Sequence, residues 1–385
     1  MPIEKISEIR IKGFKSFRDV TLNLEAFNVL IGANGAGKSN FIDFFRMLNY
    51  AFGVTSGASQ GGLEFFVSER GRATSLLYYG HDWTRYMDAS IRFENEKGWS
   101  RYGFSLTWGA PDDLIFASEE MEFQIDGHKT PMKRQLGSGH RESKVLEVAN
   151  QPTASPYKTE AFVFRKRLQG IKVYHFHDTR DRASIRLYQD LGGGSYLRSD
   201  GGNLATFLYT IKNNHPFSYR EIISTVQLIA PFIEDFIVEP EPLSPDKIRL
   251  KWMDRSKHIF GAHQLSDGTI RAIALVTALM QPEGTLPSVM IFDEPELGLH
   301  PSAIGLIASL LKEASLRRQV IVATQSPMLL RNYEPKDILV SERCRDEGRE
   351  QSTFRRLSEE DLSLWLEDFD LGDLYEKNVT GGFPQ

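Results

Sequence analysis

The sequence contains one cysteine, Cys344, among 385 residues. A single thiol excludes an intramolecular disulfide and a metal site made of several thiolates. Long apolar runs are also lacking, and Ala272–Met280 falls far short of the ~20 apolar residues that a membrane span needs. The N-terminal residues alternate polar and apolar side chains and lack the apolar core of a signal peptide. We therefore expect a cytoplasmic protein without a membrane partner.

An excess of basic charge is missing as well. The chain has 46 Lys and Arg against 51 Asp and Glu, a formal net charge of -5. This balance excludes a nucleic-acid binder that is basic over its whole surface, but it permits a local basic stripe. Arg165–Arg167 and Arg180–Arg186 are candidates for such a stripe, with a solvated charged face as the alternative. DNA or RNA is therefore an open class of partner.

Among the features that are present, a glycine-rich loop carries the strongest signal. Residues 32–39 read GANGAGKS, between the apolar run Phe27–Ile31 and a segment with apolar residues at helical spacing. Glycines let the backbone turn tightly and direct N–H groups at phosphate oxygens, and the helix dipole adds to the attraction. Lys38 is expected to reach the β- and γ-phosphates of ATP, and the Ser39 hydroxyl to ligate Mg²⁺. The predicted ATP-binding residues of this loop are Gly32, Asn34, Gly35, Gly37, Lys38, Ser39 and Asn40.

A second apolar strand, predicted over Val289–Phe292, ends in Asp293 and Glu294. Asp293 at the strand end is expected to hold Mg²⁺ through water, opposite Ser39. Glu294 is placed to polarise the attacking water as a general base. A solvated acidic turn is the alternative, and the phosphate loop upstream favours the catalytic interpretation.

The segment His263–Arg271, HQLSDGTIR, opens a predicted helix. Ser266 and Gly268 at the helix N-terminus predict a second anion-binding site. A phosphate loop needs one such site for its own nucleotide, so the second is expected to serve the γ-phosphate of a neighbouring subunit. An ordinary helix cap is the alternative interpretation.

Together these elements resemble the ABC-type P-loop ATPases of the SMC and RecF kind. The resemblance also includes Gly13–Phe17 (GFKSF), Asp293–Pro301 (DEPELGLHP) and Val322–Pro327 (VATQSP). Within that superfamily, the sequence is most similar to small bacterial predicted ATPases related to overcoming-lysogenisation-defect proteins and phage-defence ATPases.

The resemblance implies further roles for individual residues. Ser266 and Gly268 would contact the partner's γ-phosphate, Glu296–His300 would form the D-loop, and Gln325 would be the switch residue. The family usually has histidine at the switch position, and glutamine cannot become positively charged, so slow or partner-gated hydrolysis is expected.

Several residues keep open assignments. The Q-loop glutamine has two candidates, Gln60 and the segment Tyr174–Thr179. Lys15 and Phe17 are expected either to flank the nucleotide or to be ordinary strand residues. His175 and His177 form a weak candidate metal pair, with a structural role as the alternative.

The expected fold class is α/β, a P-loop NTPase of ABC type with an antiparallel β subdomain and a small, mainly helical lobe. Residues 1–180 and 261–345 are predicted to form the ATPase domain, 181–260 the lobe, and 346–385 a C-terminal helical tail. Residues 75–127 are predicted to be an antiparallel meander, and 128–158 an exposed insertion.

The leading functional hypothesis is an ATP-hydrolysing switch. Two copies would join around ATP as a homodimer and act on DNA or a protein effector, in DNA repair or phage defence. The alternative is a slowly hydrolysing, ATP-bound scaffold that holds a toxin or nuclease. A third hypothesis, the ATPase subunit of a membrane transporter, is disfavoured by the GFKSF and DEPELGLHP segments.

Overall fold

The computed structural model describes residues 5–52, 62–96, 98–125, 130–152 and 155–382. In chain order the strands are β1 Lys5–Phe14, β2 Phe17–Asn23, β3 Phe27–Ile31, β4 Tyr86–Asn95, β5 Gly98–Gly109, β6 Asp113–Ile125, β7 Met132–Gly137, β8 Ile171–Tyr174, β9 Gln189–Asp190, β10 Ile233–Ile237, β11 Pro240–Glu241, β12 Ser244–Ile248, β13 Lys251–Asp254, β14 Ile259–Gly261, β15 Val289–Asp293, β16 Gln319–Ala323, β17 Ile338–Asp346 and β18 Arg349–Arg356. The α-helices are α1 Lys38–Ala51, α2 Leu63–Glu69, α3 Arg72–Leu76, α4 Val145–Ala149, α5 Pro156–Gln169, α6 Leu204–Asn214, α7 Pro216–Ile229, α8 Asp267–Met280, α9 Pro301–Ala314, α10 Pro327–Leu330, α11 Glu359–Leu366 and α12 Leu371–Glu376.

A mainly parallel sheet of order β18-β17-β3-β16-β15-β8 carries the phosphate loop at the end of β3. Strand β18 alone is antiparallel to its neighbour. The side chains of β15 alternate between two cores. Val289 and Ile291 join the core that contains α1, whereas Met290 and Phe292 join the core that contains α6 to α9. The sheet is therefore covered on both faces, which explains the nearly continuous apolar sequence of its central strands.

An antiparallel sheet of order β2-β1-β4-β5-β6-β7 packs against α1. Within the meander predicted over 75–127, strands β4, β5 and β6 pair antiparallel in sequence order from Tyr86 to Ile125. The prediction that 128–158 is an exposed insertion is wrong, because β7 pairs with β6 and α4 and α5 follow it. The polar residues misled the interpretation because they have cross-strand partners: Lys133 lies opposite Glu122 and forms an ion pair with Glu120. Such pairs stabilise the exposed face of a sheet.

The small lobe, predicted over residues 181–260, is built on α6 and α7. Their apolar faces join the core that contains α8 and α9. Strands β13 and β14 form a hairpin. The chain turns there at Lys257, whose φ is +66°. Short strands β9 to β14 complete two three-stranded sheets beside the helices.

The C-terminal part of the chain continues the parallel sheet further than predicted. Asp346 pairs with Arg349 in the β17–β18 hairpin, so the predicted tail boundary at residue 346 falls inside this hairpin. Helices α11 and α12 follow within the segment predicted as a C-terminal helical tail. None of the helices in the described ranges is long and apolar enough to cross a membrane.

Candidate nucleotide-binding site

The ends of three neighbouring strands bring the predicted site residues together. In the parallel register Val322 lies beside both Phe292 and Val29, and Ala323 beside both Asp293 and Leu30. The phosphate loop, the acidic pair and the segment around Gln325 therefore follow β3, β15 and β16 at one edge of the sheet. Ligands of open α/β sheets bind at this carboxyl edge.

The glycines of the phosphate loop allow a positive φ, and two of them also allow close packing against other strands. Gly32 and Gly37 have φ of +145° and +124°, and a Cβ on them would lie 2.3 Å from the Ser341 carbonyl oxygen and 2.6 Å from Ser352 Oγ. These two glycines allow the loop to pack against the β17–β18 hairpin. Gly35 also has a positive φ, +80°, but a Cβ there would meet no other atom within 4 Å. The loop thus packs against the hairpin at Gly32 and Gly37 and is open at Gly35, as a phosphate-binding loop requires.

Lys38 lies in the curl of this loop. Its buried Nζ donates to the carbonyl oxygens of Gly32 and Ala33, the latter at 3.2 Å. Burial lowers the pKa of Lys38, while the negative charges of Glu294, Asp293 and Glu296 oppose that shift. A partly desolvated ammonium held only by carbonyl groups gains from an anionic partner, so this environment fits a phosphate.

The two acids lie beside the phosphate loop in different backbone conformations. Asp293 ends β15, and Arg46 Nη2 of α1 lies 3.6 Å from its Oδ2. Burial raises the pKa of Asp293, although Arg46 and His177 partly offset this. Glu294 has a φ of +46°, and its N–H donates to the Ala323 carbonyl at 2.8 Å. A strained non-glycine residue of this kind is typical of functional sites.

The residues present fit a magnesium ion. Asp293 supplies a half-buried carboxylate with no cation closer than Arg46 among the ion pairs of the described residues, and Ser39 supplies an exposed hydroxyl from the first turn of α1. Carboxylate and hydroxyl oxygens are suitable ligands for this hard cation. Glu296 adds a buried carboxyl group whose Oε1 accepts from Thr324 Oγ1 and whose Oε2 has no hydrogen-bond partner. Burial raises the pKa of Glu296.

Gln325 connects the phosphate loop to the acidic pair. Its amide nitrogen donates to Asn34 Oδ1 at 2.7 Å and to Glu294 Oε1 at 2.9 Å. The two hydrogens of one amide group are thus shared between the phosphate loop and the predicted general base. Of the sequence-predicted residues, the structure therefore joins Asn34, Glu294 and Gln325 directly.

The predicted signature lies at the start of α8, where it contacts the predicted D-loop. Ser266 caps α8, and its Oγ accepts from the Thr269 N–H at 3.1 Å. A Cβ on Gly268 would lie 2.3 Å from the Gly298 carbonyl oxygen, so the signature packs tightly against the predicted D-loop. Asn40, which was predicted to bind ATP, donates a hydrogen bond to Ser16 Oγ at 2.7 Å. Among the described residues, the side-chain hydrogen bonds of Ser266 involve Thr269, and none reaches the phosphate loop of the same chain.

Two arginines that sequence reasoning did not assign to the site hold the signature in place. Arg271 of α8 donates to the carbonyl oxygens of Phe176, His177 and Leu297, at 3.1, 2.8 and 3.0 Å. Arg186 donates to the Leu265 carbonyl at 3.1 Å and to Asp267 Oδ1 at 2.9 Å. Arg271 lies five residues after the signature serine and was thus within the recognised segment, but its hydrogen-bond partners are distant in sequence.

The segment after β8 lies beside the acidic pair. Tyr174 is in register with Phe292, and the Nε2–H of His177 donates to the Asp293 carbonyl at 3.0 Å. This places Tyr174–Thr179, one of the two Q-loop candidates, next to the site, whereas Gln60 lies outside the described residues.

Burial lowers the pKa of His175 to about 4. No group of three or more His, Cys, Asp or Glu side chains in the described ranges could hold a metal ion, which disfavours the metal pair.

The structure corrects the predicted basic stripe. Consecutive residues of α5 point in different directions, and Arg167 forms an ion pair with Glu160 at 3.2 Å. Arg186 is 4% exposed because it holds the signature loop. Lys166, Arg180 and Arg182 remain exposed. Arg167 and Arg186 are therefore engaged within the fold rather than presented to a phosphate backbone.

Lys15 and Phe17 of the GFKSF segment lie in different environments. Phe17 is fully buried, and its ring centroid lies 5.7 Å from that of Phe354, so it is a core aromatic residue rather than a nucleotide neighbour. Lys15 pairs with Asp43 of α1 and borders an open cavity beside the phosphate loop.

The fold and the residues at its carboxyl edge define an α/β P-loop nucleotide-binding domain. Comparison with known families supports the motifs at both ends of the chain. The family described as "AAA ATPase domain" matches residues 5–70, and the family described as "AAA domain, putative AbiEii toxin, Type IV TA system" matches residues 242–331. No curated protein matches the chain.

Solved structures show the same fold over most of the chain. A Smc head bound to the C-winged helix domain of ScpA aligns with a TM-score of 0.55 and 17% identity, over 91% of this chain and 98% of that one. A Smc head with an extended coiled coil, bound to the C-terminal domain of ScpA derived from Pyrococcus furiosus, aligns with a TM-score of 0.51 and 14% identity, over 95% and 99%. The chain thus has the fold of these Smc head domains, and its two matched segments are similar to families of AAA ATPase domains.

Replacing Lys38 with alanine should weaken ATP binding about 10- to 100-fold. The substitution removes a buried cation, and a charge-assisted contact of this kind contributes about 1.5–3 kcal/mol. Isothermal titration calorimetry measures the change, with exposed Lys12→Ala as the matched control. Equal affinity of the Lys38→Ala and wild-type proteins would contradict the assignment.

Proposed function

We propose that the protein binds ATP with Mg²⁺, dimerises around the nucleotide and hydrolyses it slowly, as a switch that acts on a protein effector. The observation that carries this proposal is the Gln325 amide, which joins Asn34 of the phosphate loop to Glu294. A residue in this position responds both to what fills the loop and to the state of the general base. DNA is a further candidate target, and DNA repair or phage defence the pathway we favour.

The proposed roles follow from the positions of the side chains. The loop amides from Gly32 to Gly37 and the ammonium of Lys38 would bind the phosphates. Ser39 and Asp293 would hold Mg²⁺, which supplies charge neutralisation of phosphate oxygens when bound. Glu294, oriented by Gln325, would accept the proton of the attacking water. His177 would keep the end of β15 in place through the Asp293 carbonyl.

The proposed dimer rests on the separation of the two anion-binding elements. Ser266 is exposed at the start of α8, and Gly268 contacts the predicted D-loop at Gly298. An unused helix N-terminus of this kind would complete the site of a second copy. A two-fold dimer would then contain two identical composite sites.

The second candidate function is an ATP-bound scaffold for a toxin or nuclease. It is favoured by the hydrogen bond between Gln325 and Glu294, because an acceptor that is already engaged is a weaker base for water. The similarity of residues 242–331 to a family described as a putative AbiEii toxin also supports a toxin-related role. The Smc heads bound to ScpA domains support a protein effector in either case.

The Gln325→His and Gln325→Ala variants separate the two functions. If the protein is a hydrolysing switch, histidine should raise ATP turnover about 10-fold, because a protonated imidazole adds one charge-assisted contact to the γ-phosphate. Alanine should lower turnover by a similar factor. The measurement is steady-state phosphate release, with ATP affinity determined in parallel.

A rise in turnover for Gln325→Ala would contradict the switch and favour the scaffold, since it would show that the glutamine restrains Glu294. Wild-type turnover in both variants would remove Gln325 from the catalytic proposal altogether.

A further inference from the structure

Residues 370–382, here called the strap, contain α12 and the turn that leads from it to the phosphate loop. Helix α12 packs closely on α10, where a Cβ on Gly372 would lie 2.5 Å from the Pro327 carbonyl oxygen. Arg331 at the end of α10 donates to Asp373 Oδ1 at 2.9 Å. Since α10 begins two residues after the predicted switch residue, the first part of the strap is attached to the segment that carries this residue.

The chain reverses direction after α12 and is fixed on both sides of the turn. Asn378 has a φ of +55°, and the Val379 N–H donates to the Leu374 carbonyl at 2.9 Å, which satisfies a carbonyl at the end of the helix. The next residue, Thr380, is buried, and its carbonyl accepts from Arg355 Nη2 of β18. The second part of the strap is therefore attached to the β17–β18 hairpin.

The strap contacts Gly32, the first residue of the phosphate loop. Gly382 has a φ of +91°, and a Cβ on it would lie 3.1 Å from Gly32 Cα. The Tyr375 side chain is buried in the core that contains α6 to α9. Burial raises the pKa of the Tyr375 hydroxyl, and a hydrogen bond from the Gly32 N–H partly offsets that rise. The strap thus contacts the loop both by close packing and through a hydroxyl group.

The two polar groups of Gly32 have partners with different tasks. Its carbonyl accepts from Lys38 Nζ, whereas its N–H is directed at the Tyr375 hydroxyl. In the proposed function Lys38 binds phosphates, and a lysine that turns to a phosphate leaves the Gly32 carbonyl. The shape of the loop then depends on contacts that do not involve Lys38, and the strap supplies such contacts at Gly32.

We propose that the strap positions the phosphate loop for phosphate binding and that Tyr375 is the positioning residue within it. The identity of the ligand rests on the proposed function, and the strap adds the element that keeps the loop in its binding shape. Because the strap acts on the loop and not on a nucleoside, its loss should weaken the binding of ADP and of pyrophosphate by the same factor.

The test is calorimetric titration of Mg-ADP and of Mg-pyrophosphate into the wild-type protein and its variants. Tyr375→Phe keeps the ring in the core and removes the hydroxyl. It should weaken both ligands about 5-fold, which corresponds to about 1 kcal/mol, the size of one neutral hydrogen bond. Gly382→Ala should weaken both ligands at least as strongly, because the added Cβ pushes on Gly32 Cα.

Gly348→Ala is the matched control for the glycine variant. Gly348 lies in the turn between β17 and β18 with a φ of +80°, and a Cβ there would meet no other atom within 4 Å. The control therefore introduces similar backbone strain without touching the phosphate loop. It should lower the melting temperature by a similar amount and bind both ligands with wild-type affinity.

Melting temperatures without ligand distinguish positioning from a purely structural role. A Tyr375→Phe protein that melts earlier but binds pyrophosphate with wild-type affinity would overturn the proposal, since the hydroxyl would then stabilise the fold alone. A loss of ADP affinity without a loss of pyrophosphate affinity would overturn it as well. If Gly382→Ala does not fold, Tyr375→Phe decides between these outcomes by itself.

Lys38→Ala in the same assay separates failure of this proposal from failure of the proposed function. If Lys38→Ala weakens both ligands while Tyr375→Phe and Gly382→Ala change neither, the phosphate site stands and the strap does not position it. If Lys38→Ala also changes neither, the proposed function itself fails.

Discussion

A Glu294→Gln variant should bind ATP with wild-type affinity and lose ATP turnover by about 10²–10⁴-fold, the contribution of a positioned general base. The structure explains why binding should survive. The amide oxygen of glutamine can still accept the hydrogen bond that Gln325 donates to Glu294, so the geometry around the phosphate loop is kept. The side chain keeps its shape and loses its ability to take a proton.

Because ATP would then bind without being hydrolysed, the variant should accumulate as an ATP-bound dimer. Light scattering after size-exclusion chromatography with Mg-ATP measures the mass, and phosphate release measures turnover. Glu313→Gln on the exposed side of α9 is the matched control and should behave as wild type. Wild-type turnover of Glu294→Gln would mean that another residue is the base. Glu296, which is buried beside Thr324, would then be the next candidate.

The Ser266→Arg variant should retain ATP binding and lose turnover, because bulk and positive charge at the start of α8 would block closure of the dimer. Loss of the helix cap costs about 1 kcal/mol of stability by itself. Ser358→Arg at the N-terminus of α11 is therefore the matched control, since it also replaces a capping serine, away from the signature. It should lose similar stability and keep full turnover.

Mixing Ser266→Arg with Lys38→Ala should restore part of the activity. In a mixed dimer, one composite site has both Lys38 and Ser266 intact and the other has neither. After random subunit exchange, roughly a quarter of wild-type turnover is expected, because half of the dimers are mixed and each has one working site. The measurement is ATP turnover of the mixture against each variant alone.

Mass spectrometry of the intact mixture verifies that mixed dimers form. Mixed dimers without recovered activity would contradict independently working composite sites. Full turnover by Ser266→Arg as a monomer would place the whole site within one chain.

The local parts of the candidate site could be recognised from short stretches of sequence. The glycine-rich loop, the acidic pair after an apolar strand and the serine that opens α8 are short patterns whose chemistry depends on neighbouring residues. Backbone freedom, strand burial and helix capping act over a few residues, so they can be recognised without the rest of the chain. The strands β3, β15 and β16 were predictable for the same reason, because their apolar runs reflect burial on both faces of the sheet.

Which of these parts meet depends on the order of the strands in the folded sheet. Parallel strands that neighbour each other in the sheet are far apart in sequence, so the contact between Gln325, Asn34 and Glu294 depends on strand order. The same reason explains the errors. Arg167 and Arg186 belong to basic stretches that are typical of nucleic-acid surfaces, yet they form ion pairs with Glu160 and Asp267 within the fold. The open cavity beside the phosphate loop is likewise formed by separate segments of the chain, and no short sequence pattern predicts such a cavity.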